Sequence, residues 1–244
     1  MHEGGDEELM PNVDIAVIGS GIAGLFLANR CAEKGLNVAL ITKKSISTSN
    51  TNWAQGGIAG VLDSNDENAI EAHVQDTLSS GAGLCDEKVV RSVVLEAADR
   101  IRDLENHGVR FDKNRDGEYD KAREGGHSNR RILHSKDATG AEIERALSKS
   151  ASKEMDKNFK IYENWMAIDL IQREYGNPKK GVVGLWCLSP SGIVHTLPAK
   201  AIILATGGVG FLYSSTTNPS IATGDGVAMA CLLYTSDAAD DFTS

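Results

Sequence analysis

The sequence predicts an α/β fold in which a central parallel sheet is extended by an antiparallel meander. Two observations lead to this prediction. Residues 13–42 read as a strand, a glycine-rich turn, a helix and a second strand, which is the order of a βαβ unit. Residues 160–205 read as a series of short strands, two of which flank a turn signal. Helical patterns fill most of the chain between these two parts.

The βαβ unit begins with residues 13–18, which are almost continuously apolar (VDIAVI). Strands that are buried on both faces of a parallel sheet have this composition. A helical pattern follows over residues 22–33, and Gly35 is suited to end it because glycine readily adopts the left-handed conformation of a helix C-cap. A second apolar run over residues 36–42 predicts the neighbouring strand.

Three helices are predicted in the middle of the chain, over residues 68–79, 87–107 and 139–152. The second is the clearest, because its apolar residues recur at helical spacing and share one face. These residues are Val89, Val90, Val93, Val94, Ala97, Ile101 and Leu104. Polar segments over residues 43–60 and 112–126 separate the predicted elements.

Four strands are predicted after the last helix. Residues 160–172 and 181–188 form the first two, and residues 192–197 follow a Ser-Pro-Ser-Gly turn. Residues 200–205 read as one more buried strand, which ends in Thr-Gly-Gly. The first three strands predict the meander, and the fourth is expected to join the parallel sheet.

Composition excludes several classes of protein. Hydrophobic residues make up 41% of the 244 residues, which is ordinary for a globular chain. The net charge of −9 argues against nucleic acid as a partner. The four cysteines are widely spaced and form no CxxC pair, so neither a metal site nor a disulfide framework is predicted.

We expect one domain over residues 13–230, preceded by a flexible tail at residues 1–12. Residues 231–244 show no helical period and are interpreted as an aberrant tail. The first residues lack the basic start and apolar centre of a signal peptide, and no apolar run reaches the ~18 residues that span a bilayer. These features predict a cytoplasmic protein without a membrane partner.

A GxGxxG fingerprint follows the first strand, formed by Gly19, Ser20, Gly21, Ile22, Ala23 and Gly24. The first glycine permits a tight turn, the second lets the backbone approach a pyrophosphate, and the third lets the helix pack against the strand. The helix N-terminus then offers N–H groups and the positive end of its dipole to the phosphates. Because a strand precedes the fingerprint and a helix follows it, we predict a Rossmann-like dinucleotide site.

The end of the second strand leaves the choice of dinucleotide open. Many such folds place Asp or Glu there to bind a ribose hydroxyl. This chain has Thr42, Lys43 and Lys44 instead. A lysine in this place can read the additional phosphate of NADP, so an NADP-dependent reductase is a competing hypothesis.

Further motifs occur between residues 50 and 229. They are NTNWAQGGI (residues 50–58), REGGHS (123–128), RRILH (130–134), ATGG (205–208), TTNP (216–219) and TGDGVAM (223–229). Together with the fingerprint, these motifs resemble the flavoprotein family of succinate dehydrogenases, fumarate reductases and aspartate oxidases over residues 13–229. The resemblance implies a Rossmann-like FAD-binding domain.

The resemblance also implies which residues contact FAD. In that family a lysine stands at the position of Lys43, the AQGG loop packs against the isoalloxazine ring, and the aspartate corresponding to Asp225 contacts the flavin. Small residues suit such a loop because backbone must come close to a flat ring. The backbone at Met166 and Ala167 corresponds to the segment that meets the adenine. The contacts in the loop and at the strand end are Asn50, Thr51, Asn52, Trp53, Ala54, Gln55, Gly56, Gly57, Thr206 and Gly207.

Two positions distinguish the members of this family. Members that attach FAD covalently use a histidine where this chain has Asn50, and an amide cannot form that bond, so FAD is expected to be non-covalent. Aspartate oxidases have REGGHS, as here, whereas the respiratory members have an apolar aromatic residue in place of Glu124. A carboxylate can orient the α-ammonium group of aspartate but has no partner on succinate. His127 and Arg130 either shape this loop or bind substrate carboxylates.

The resemblance implies the oxidation of L-aspartate to iminoaspartate, with oxygen or fumarate as acceptor. Iminoaspartate feeds quinolinate and NAD biosynthesis, which implies a functional link to quinolinate synthase. In the family, the capping domain and further catalytic residues lie beyond the TGDG motif. We therefore expect an incomplete fold that is inactive alone. A soluble fumarate reductase or succinate oxidoreductase, and a non-catalytic flavin-binding fragment, are the alternatives.

Overall fold

The structure is a computed structural model that describes residues 8–154 and 158–235. The chain divides into two compact units. Of the described residues, the first unit comprises 8–50, 147–154 and 158–235, and the second comprises 51–146.

The secondary structure of the described residues is as follows. The strands are β1 Glu8–Leu9, β2 Val13–Ile18, β3 Val38–Thr42, β4 Ile58–Ala59, β5 Lys121–Ala122, β6 Ile132–Leu133, β7 Phe159–Glu163, β8 Met166–Gln172, β9 Val182–Leu188 and β10 Val194–Leu204. The helices are α1 Ile22–Glu33, α2 Asn50–Trp53, α3 Glu67–Ser80, α4 Glu87–Asn106, α5 Thr139–Glu154 and α6 Asp225–Thr235. Short 3-10 turns occur at Pro178–Lys180 and Gly210–Leu212.

The first unit is built on a sheet with the strand order β7-β3-β2-β10-β9-β8. The strands β7, β3, β2 and β10 are parallel, and β10, β9 and β8 form an antiparallel meander. The predicted α/β fold with a parallel centre and an added meander is therefore confirmed. The carboxyl ends of β2, β3 and β10 meet at one edge, which is where open α/β sheets bind their ligands.

The strand β10 joins the two parts of this sheet. It is one continuous strand, although the sequence predicts two, over residues 192–197 and 200–205. Up to Pro198 it pairs with the antiparallel strand β9, and from Ala199 it pairs with the parallel strand β2. The fixed φ of proline is compatible with an extended strand, so Pro198 does not break it.

The predicted strand over residues 160–172 is in fact two strands. The chain turns at Asn164, whose φ of 60° is left-handed, a conformation that asparagine tolerates better than most residues. Before the turn, β7 lies parallel to β3, and after it β8 enters the meander. The N–H of Trp165 donates to the carbonyl oxygen of Thr42 (3.0 Å), so β8 begins beside the end of β3.

The helix α1 packs on the parallel strands. Leu25, Ala28 and Ala32 lie three or four residues apart and are buried, so they form one stripe that faces the sheet. The amide of Asn29 lies in the same stripe and donates to the carbonyl oxygens of Leu25 (2.9 Å) and Leu147 (3.0 Å). These bonds satisfy the buried amide nitrogen of Asn29. They also link α1 to Leu147, the residue at which the chain re-enters the first unit.

In the second unit, α3 and α4 pack against each other through Ile70, Val74 and Val94. Each helix begins at an aspartate, Asp66 or Asp86, whose carboxylate accepts hydrogen bonds from first-turn N–H groups. A small antiparallel sheet with the order β4-β6-β5 completes the unit.

The predicted apolar face of α4 is only partly correct. Val94, Ile101 and Leu104 are buried, but the side chains of Val89 and Val93 are 59% and 65% exposed. Each helical residue advances about 100° around the axis, so the buried stripe through Val94 leaves Val93 to one side. The elements packed against α4 therefore bury only part of its apolar residues.

The expected tails also need correction. Glu8 and Leu9 pair with β10, and Met10 is buried in the core, so the prediction of a flexible tail over residues 1–12 is wrong for Glu8 to Met10. Residues 231–235 continue the helix α6, although no helical period is evident there. The remaining parts of both predicted tails, residues 1–7 and 236–244, lie outside the described residues. Within the described ranges, no helix is long and apolar enough to cross a membrane.

Candidate functional site

The glycine-rich turn joins β2 to α1 at the ligand-binding edge of the first unit. Gly19 has a φ of 109°, which side chains rarely adopt. A Cβ at Gly19 would overlap the carbonyl oxygen of Ala205, and a Cβ at Gly24 would overlap the carbonyl oxygen of Gly19. Both obstacles are backbone atoms, so these positions require glycine to bring β2, α1 and the end of β10 together.

The N-terminus of α1 suits a phosphate group. Its N-cap residue is Gly21, which has no side chain that could accept hydrogen bonds from the first turn. The first turn of α1 also contains no acidic residue. The positive end of the helix dipole is therefore not compensated within the helix and can attract a pyrophosphate.

The end of β3 carries the hydroxyl of Thr42 instead of the usual acidic residue. The hydroxyls of Ser20 and Thr42 lie 3.0 Å apart and are buried, so they fix the glycine-rich turn against β3. Met166 and Ala167 begin β8 beside this strand end; Met166 is 44% exposed and Ala167 is buried. The contact of these two residues with adenine stays a prediction.

Lys43 and Asp225, both predicted to contact the flavin, form an ion pair in the first unit. The Nζ of Lys43 lies 2.5 Å from Oδ2 of Asp225 and 2.6 Å from the hydroxyl oxygen of Thr223. That hydroxyl in turn donates to the other carboxylate oxygen of Asp225 (2.6 Å). The three side chains close a ring of hydrogen bonds at the start of α6.

The carboxylate of Asp225 is ionised in this arrangement. Burial raises the pKa of Asp225, but the hydrogen bonds from Lys43 and Thr223 and the charge of Lys43 together bring it below its ordinary value. The positive charge of Lys43 is thus already compensated within the protein. Lys43 is therefore poorly suited to bind the additional phosphate of NADP.

The end of β10 lies against α6 and Asn50. A Cβ at Gly226 would overlap the hydroxyl of Thr206, so the TGDG motif packs directly on the strand end. The Nδ2 of Asn50 lies 3.9 Å from the place a Cβ of Gly207 would occupy. An open groove of about 640 Å³ runs along this part of the first unit, and its lining includes Thr206, Gly207, Gly226 and Val227.

In the second unit, the AQGG loop lies beside the loop that carries Glu124. The carboxylate oxygens of Glu124 lie 3.5 and 3.6 Å from the place a Cβ of Gly56 would occupy. A Cβ at Gly57 would overlap the carbonyl oxygen of Leu133, so the AQGG loop packs closely on β6. The structure therefore brings together two motifs that lie 68 residues apart in the sequence (124 minus 56).

The REGGHS loop is held by a group of four residues, Asp76, His127, Ser128 and Arg131, which we call the Asp76 cluster. One oxygen of Asp76 accepts hydrogen bonds from the backbone N–H of Ser128 (2.7 Å), the hydroxyl of Ser128 (2.8 Å) and the guanidinium of Arg131 (2.7 Å). These bonds, the backbone N–H first, hold the pKa of Asp76 well below its ordinary value. The guanidinium of Arg131 also lies 3.1 Å from Nδ1 of His127.

Arg130 lies apart from this cluster. Its side chain is exposed, and its guanidinium donates to the carbonyl oxygen of Lys121 (3.1 Å), which braces the β5–β6 hairpin. The backbone N–H of His127 donates to the carbonyl oxygen of Glu124 (3.2 Å), so these two predicted substrate residues share one turn. In the described part of the chain, no group of three His, Cys, Asp or Glu residues is arranged to hold a metal ion.

Four residues of these clusters were not predicted as site residues, namely Asp76, Ser128, Arg131 and Thr223, and the last three lie within the motifs. Asp76 lies on α3 outside any motif, and only the packing of α3 beside the REGGHS loop reveals its contacts. Thr223 opens the TGDG motif, and this position could have been assigned from the motif alone.

Comparison with known proteins identifies the class. The chain matches the FAD binding domain family over residues 14–241. It belongs to that family, and FAD is its cofactor. The choice between FAD and NADP, which Lys43 and Lys44 had left open, is therefore made in favour of FAD. The helix N-terminus, which has neither a side-chain cap nor an acidic residue in its first turn, and the close glycine turn fit the pyrophosphate of such a dinucleotide.

Individual relatives narrow the class further. The chain is 46% identical to a protein named L-aspartate oxidase 2-b, chloroplastic, of Nicotiana tabacum and 43% identical to L-aspartate oxidase of Vibrio cholerae, over 89% of the chain in both cases. It spans only 33% and 41% of the length of these relatives. Among solved structures, the FrdA chain of Escherichia coli quinol fumarate reductase is similar with a TM-score of 0.81 and 30% identity, covering 91% of this chain and 37% of that one.

Proposed function

We propose that this chain is the flavin-binding part of an L-aspartate oxidase, which oxidises L-aspartate to iminoaspartate with oxygen or fumarate as acceptor. The observation that carries the proposal is the carboxylate of Glu124 beside Gly56 of the AQGG loop. The identity to proteins named L-aspartate oxidase supports it. Iminoaspartate would supply quinolinate and NAD biosynthesis, which gives the functional link to quinolinate synthase.

The first unit contributes the cofactor site. The first turn of α1 binds the pyrophosphate, Asp225 contacts the flavin, and Met166 and Ala167 meet the adenine. FAD is held non-covalently, because the amide of Asn50 stands where a histidine would be needed for attachment. Precipitating the protein with acid should release all flavin into the supernatant, whereas flavin that remains with the pellet contradicts non-covalent binding.

When bound, FAD would supply the redox chemistry, as the acceptor of a hydride from Cα of the substrate. The second unit contributes the substrate contacts. Glu124 is an exposed carboxylate on a short loop, and it is placed to orient the α-ammonium group of aspartate through a charge-assisted hydrogen bond. Succinate lacks that ammonium group, so Glu124 also provides selectivity between the two dicarboxylates.

The decisive experiment is reduction of the flavin by substrate in the full-length protein that contains this chain. L-aspartate should bleach the flavin absorbance under anaerobic conditions, and succinate should not. Glu124→Gln should lower kcat/KM for aspartate roughly 10- to 100-fold, as expected for the loss of one charged hydrogen bond. Glu96→Gln, an identical substitution at an exposed site on α4, is the matched control and should leave kcat/KM unchanged.

A soluble fumarate reductase or succinate oxidoreductase is the second candidate, favoured by the similarity to the FrdA chain. Loss of the flavin absorbance with succinate but not with aspartate would support this second candidate over an aspartate oxidase. The third candidate is a non-catalytic flavin-binding fragment, which would bind FAD and respond to neither substrate. That these 244 residues alone are inactive stays a prediction, and peroxide production from aspartate by the chain would contradict it. The cytoplasmic location also stays a prediction, since the tobacco relative is named chloroplastic.

A further inference from the structure

The Asp76 cluster contains an almost fully buried guanidinium at the base of the REGGHS loop. The side chain of Arg131 is only 4% exposed, and that of Asp76 is 19% exposed. A buried guanidinium is costly without a charged partner, because it has lost its hydration. Asp76, at 2.7 Å, is that partner, and the hydroxyl of Ser128, which is itself bound to Asp76, accepts a further hydrogen bond from the guanidinium at 3.3 Å, so Arg131 is held in one defined orientation.

The orientation of Arg131 decides the tautomer of His127. The Nη1 of Arg131 lies 3.1 Å from Nδ1 of His127. A guanidinium has only donors and no acceptor, so Nδ1 must be the unprotonated, accepting nitrogen. The proton of the neutral imidazole is then on Nε2. Within the described residues, Arg131 is the one hydrogen-bond partner of the His127 ring, so Nε2–H is left for a ligand.

A second imidazole lies behind His127. The ring of His73 is 5.6 Å from that of His127 and is buried. Burial, and after it the charge of Arg131, lower the pKa of His73 below its ordinary value, which favours its neutral form. The charged groups of the cluster are therefore Asp76 and Arg131, which compensate each other.

The loop thus presents two complementary groups. Glu124 offers an anion, and His127, in the same turn, offers a neutral N–H donor. An α-amino acid carries an ammonium group and a carboxylate on one carbon atom. The carboxylate of Glu124 can bind the ammonium group, and the N–H of His127 can donate to the carboxylate.

We propose that Asp76 and Arg131 are positioning residues that hold His127 in the Nε2–H tautomer, so that His127 donates a hydrogen bond to a carboxylate of the substrate. The identity of that substrate rests on the proposed function, but the tautomer does not. Asp76 acts through Arg131 and has no direct contact with the ligand.

Long-range ¹H–¹⁵N NMR of the ¹⁵N-histidine-labelled chain tests the tautomer directly. The His127 signals are assigned by their loss in His127→Gln. In the unsubstituted chain at neutral pH, Nδ1 should show the shift of an unprotonated nitrogen and Nε2 that of a protonated one. The opposite pattern, or two protonated nitrogens, overturns the proposal, and this measurement needs neither flavin nor substrate.

Substitutions at Asp76 test the positioning role. Asp76→Asn should release Arg131 and give His127 averaged tautomer shifts, whereas Asp76→Glu, which keeps the charge, should restore the Nε2–H pattern. Asp99→Asn, which breaks an exposed ion pair with Arg102, is the matched control and should change nothing. If Asp76→Asn fails to fold, Ser128→Ala serves as the second variant. The Arg131–Asp76 ion pair remains in this variant, so the Nε2–H pattern must persist. An unchanged pattern in a folded Asp76→Asn chain, or its loss in Ser128→Ala, overturns the role of the ion pair.

Titration of the full-length protein that contains this chain with L-aspartate tests the ligand. A saturable shift of the Nε2 signal, absent in the same titration of Asp76→Asn, supports the bond to a carboxylate. An Nε2 signal that does not move throughout the titration overturns that bond, while the tautomer is judged by the unliganded spectra. If the tautomer is as assigned but the full-length protein oxidises no aspartate, the proposed function fails and the positioning role stands.

Discussion

The Nζ of Lys43 and Oδ2 of Asp225 lie 2.5 Å apart, although 182 residues separate them in the chain. Lys43 follows the second strand of the βαβ unit, and Asp225 begins α6. Their side chains are 29% and 25% exposed, so water screens the pair only partly. Such a pair is expected to matter more than an ion pair at the open surface.

Lys43→Met should weaken FAD binding about tenfold, which corresponds to about 1.4 kcal/mol. Without Lys43, the partly buried carboxylate of Asp225 loses its charged donor and is free to leave the position in which we propose that it contacts the flavin. Titration with FAD, followed by the quenching of flavin fluorescence, measures the change. Lys200→Met is the control, because Lys200 also pairs with an aspartate, Asp14 at 2.6 Å, but is 73% exposed. Equal FAD affinity of the two variants would show that the Lys43 pair does not support the cofactor.

Asp76 should make the stability of the protein depend on pH in the acid range. Its pKa is depressed by the bonds from the Ser128 backbone, from Arg131 and from the Ser128 hydroxyl. A carboxylate of this kind contributes stability that is fully present above its ordinary pKa of about 3.9, and that contribution is lost as the pH falls through the lower, folded value.

Urea unfolding from about pH 6 to about pH 3 checks this expectation. The advantage of the unsubstituted chain over Asp76→Asn should be constant above about pH 4 and shrink below it. Asp99→Asn should run parallel to the unsubstituted chain, because Asp99 is 66% exposed. Parallel curves for Asp76→Asn would mean that its carboxylate has no depressed pKa in the folded protein.

Gly24→Ala should destabilise the first unit. The added methyl group would overlap the carbonyl oxygen of Gly19, and backbone cannot rotate away as a side chain can. Overpacking of this kind costs about 1–3 kcal/mol of the free energy of unfolding. Gly125→Ala is the control, since nothing lies within 4 Å of its added Cβ. Thermal unfolding should show a lower Tm for Gly24→Ala alone, and an unchanged Tm would argue against the tight turn.

Cys187 should resist alkylation in the folded protein. It is fully buried in β9, and burial raises the pKa of its thiol to about 12. Iodoacetamide at about pH 8 should therefore modify the exposed Cys231 and spare Cys187 until urea is added. Mass spectrometry of the peptides distinguishes the two sites. Early modification of Cys187 would indicate that the meander opens under native conditions.

The secondary structure was predictable where a local pattern is strong. β2 and α1 have the expected bounds, because a continuous apolar run and a glycine-bounded helical period leave few alternatives. The predicted bounds are wrong where pairing with neighbouring strands determines where a strand begins and ends. β10 continues through Pro198 because β9 pairs on one side before it and β2 on the other side after it.

The candidate site was predictable only in part. The motifs named Lys43, Asp225 and Glu124, since each stands in a distinctive sequence pattern. No pattern marks Asp76, which is an ordinary acidic residue on an amphipathic helix until the REGGHS loop packs beside it. The sequence also groups Arg130 with His127, whereas the structure turns the side chain of Arg130 to the carbonyl of Lys121.

The sequence by itself determined the α/β class and the dinucleotide turn, because these depend on residue types at fixed local spacing, and its motifs carried the resemblance that implied the FAD family. Only the tertiary structure decided which charges meet: Lys43 with Asp225, and Arg131 with Asp76. The physical reason is that an ion pair depends on distance in space, and residues 182 or 55 positions apart carry no local signal of their contact.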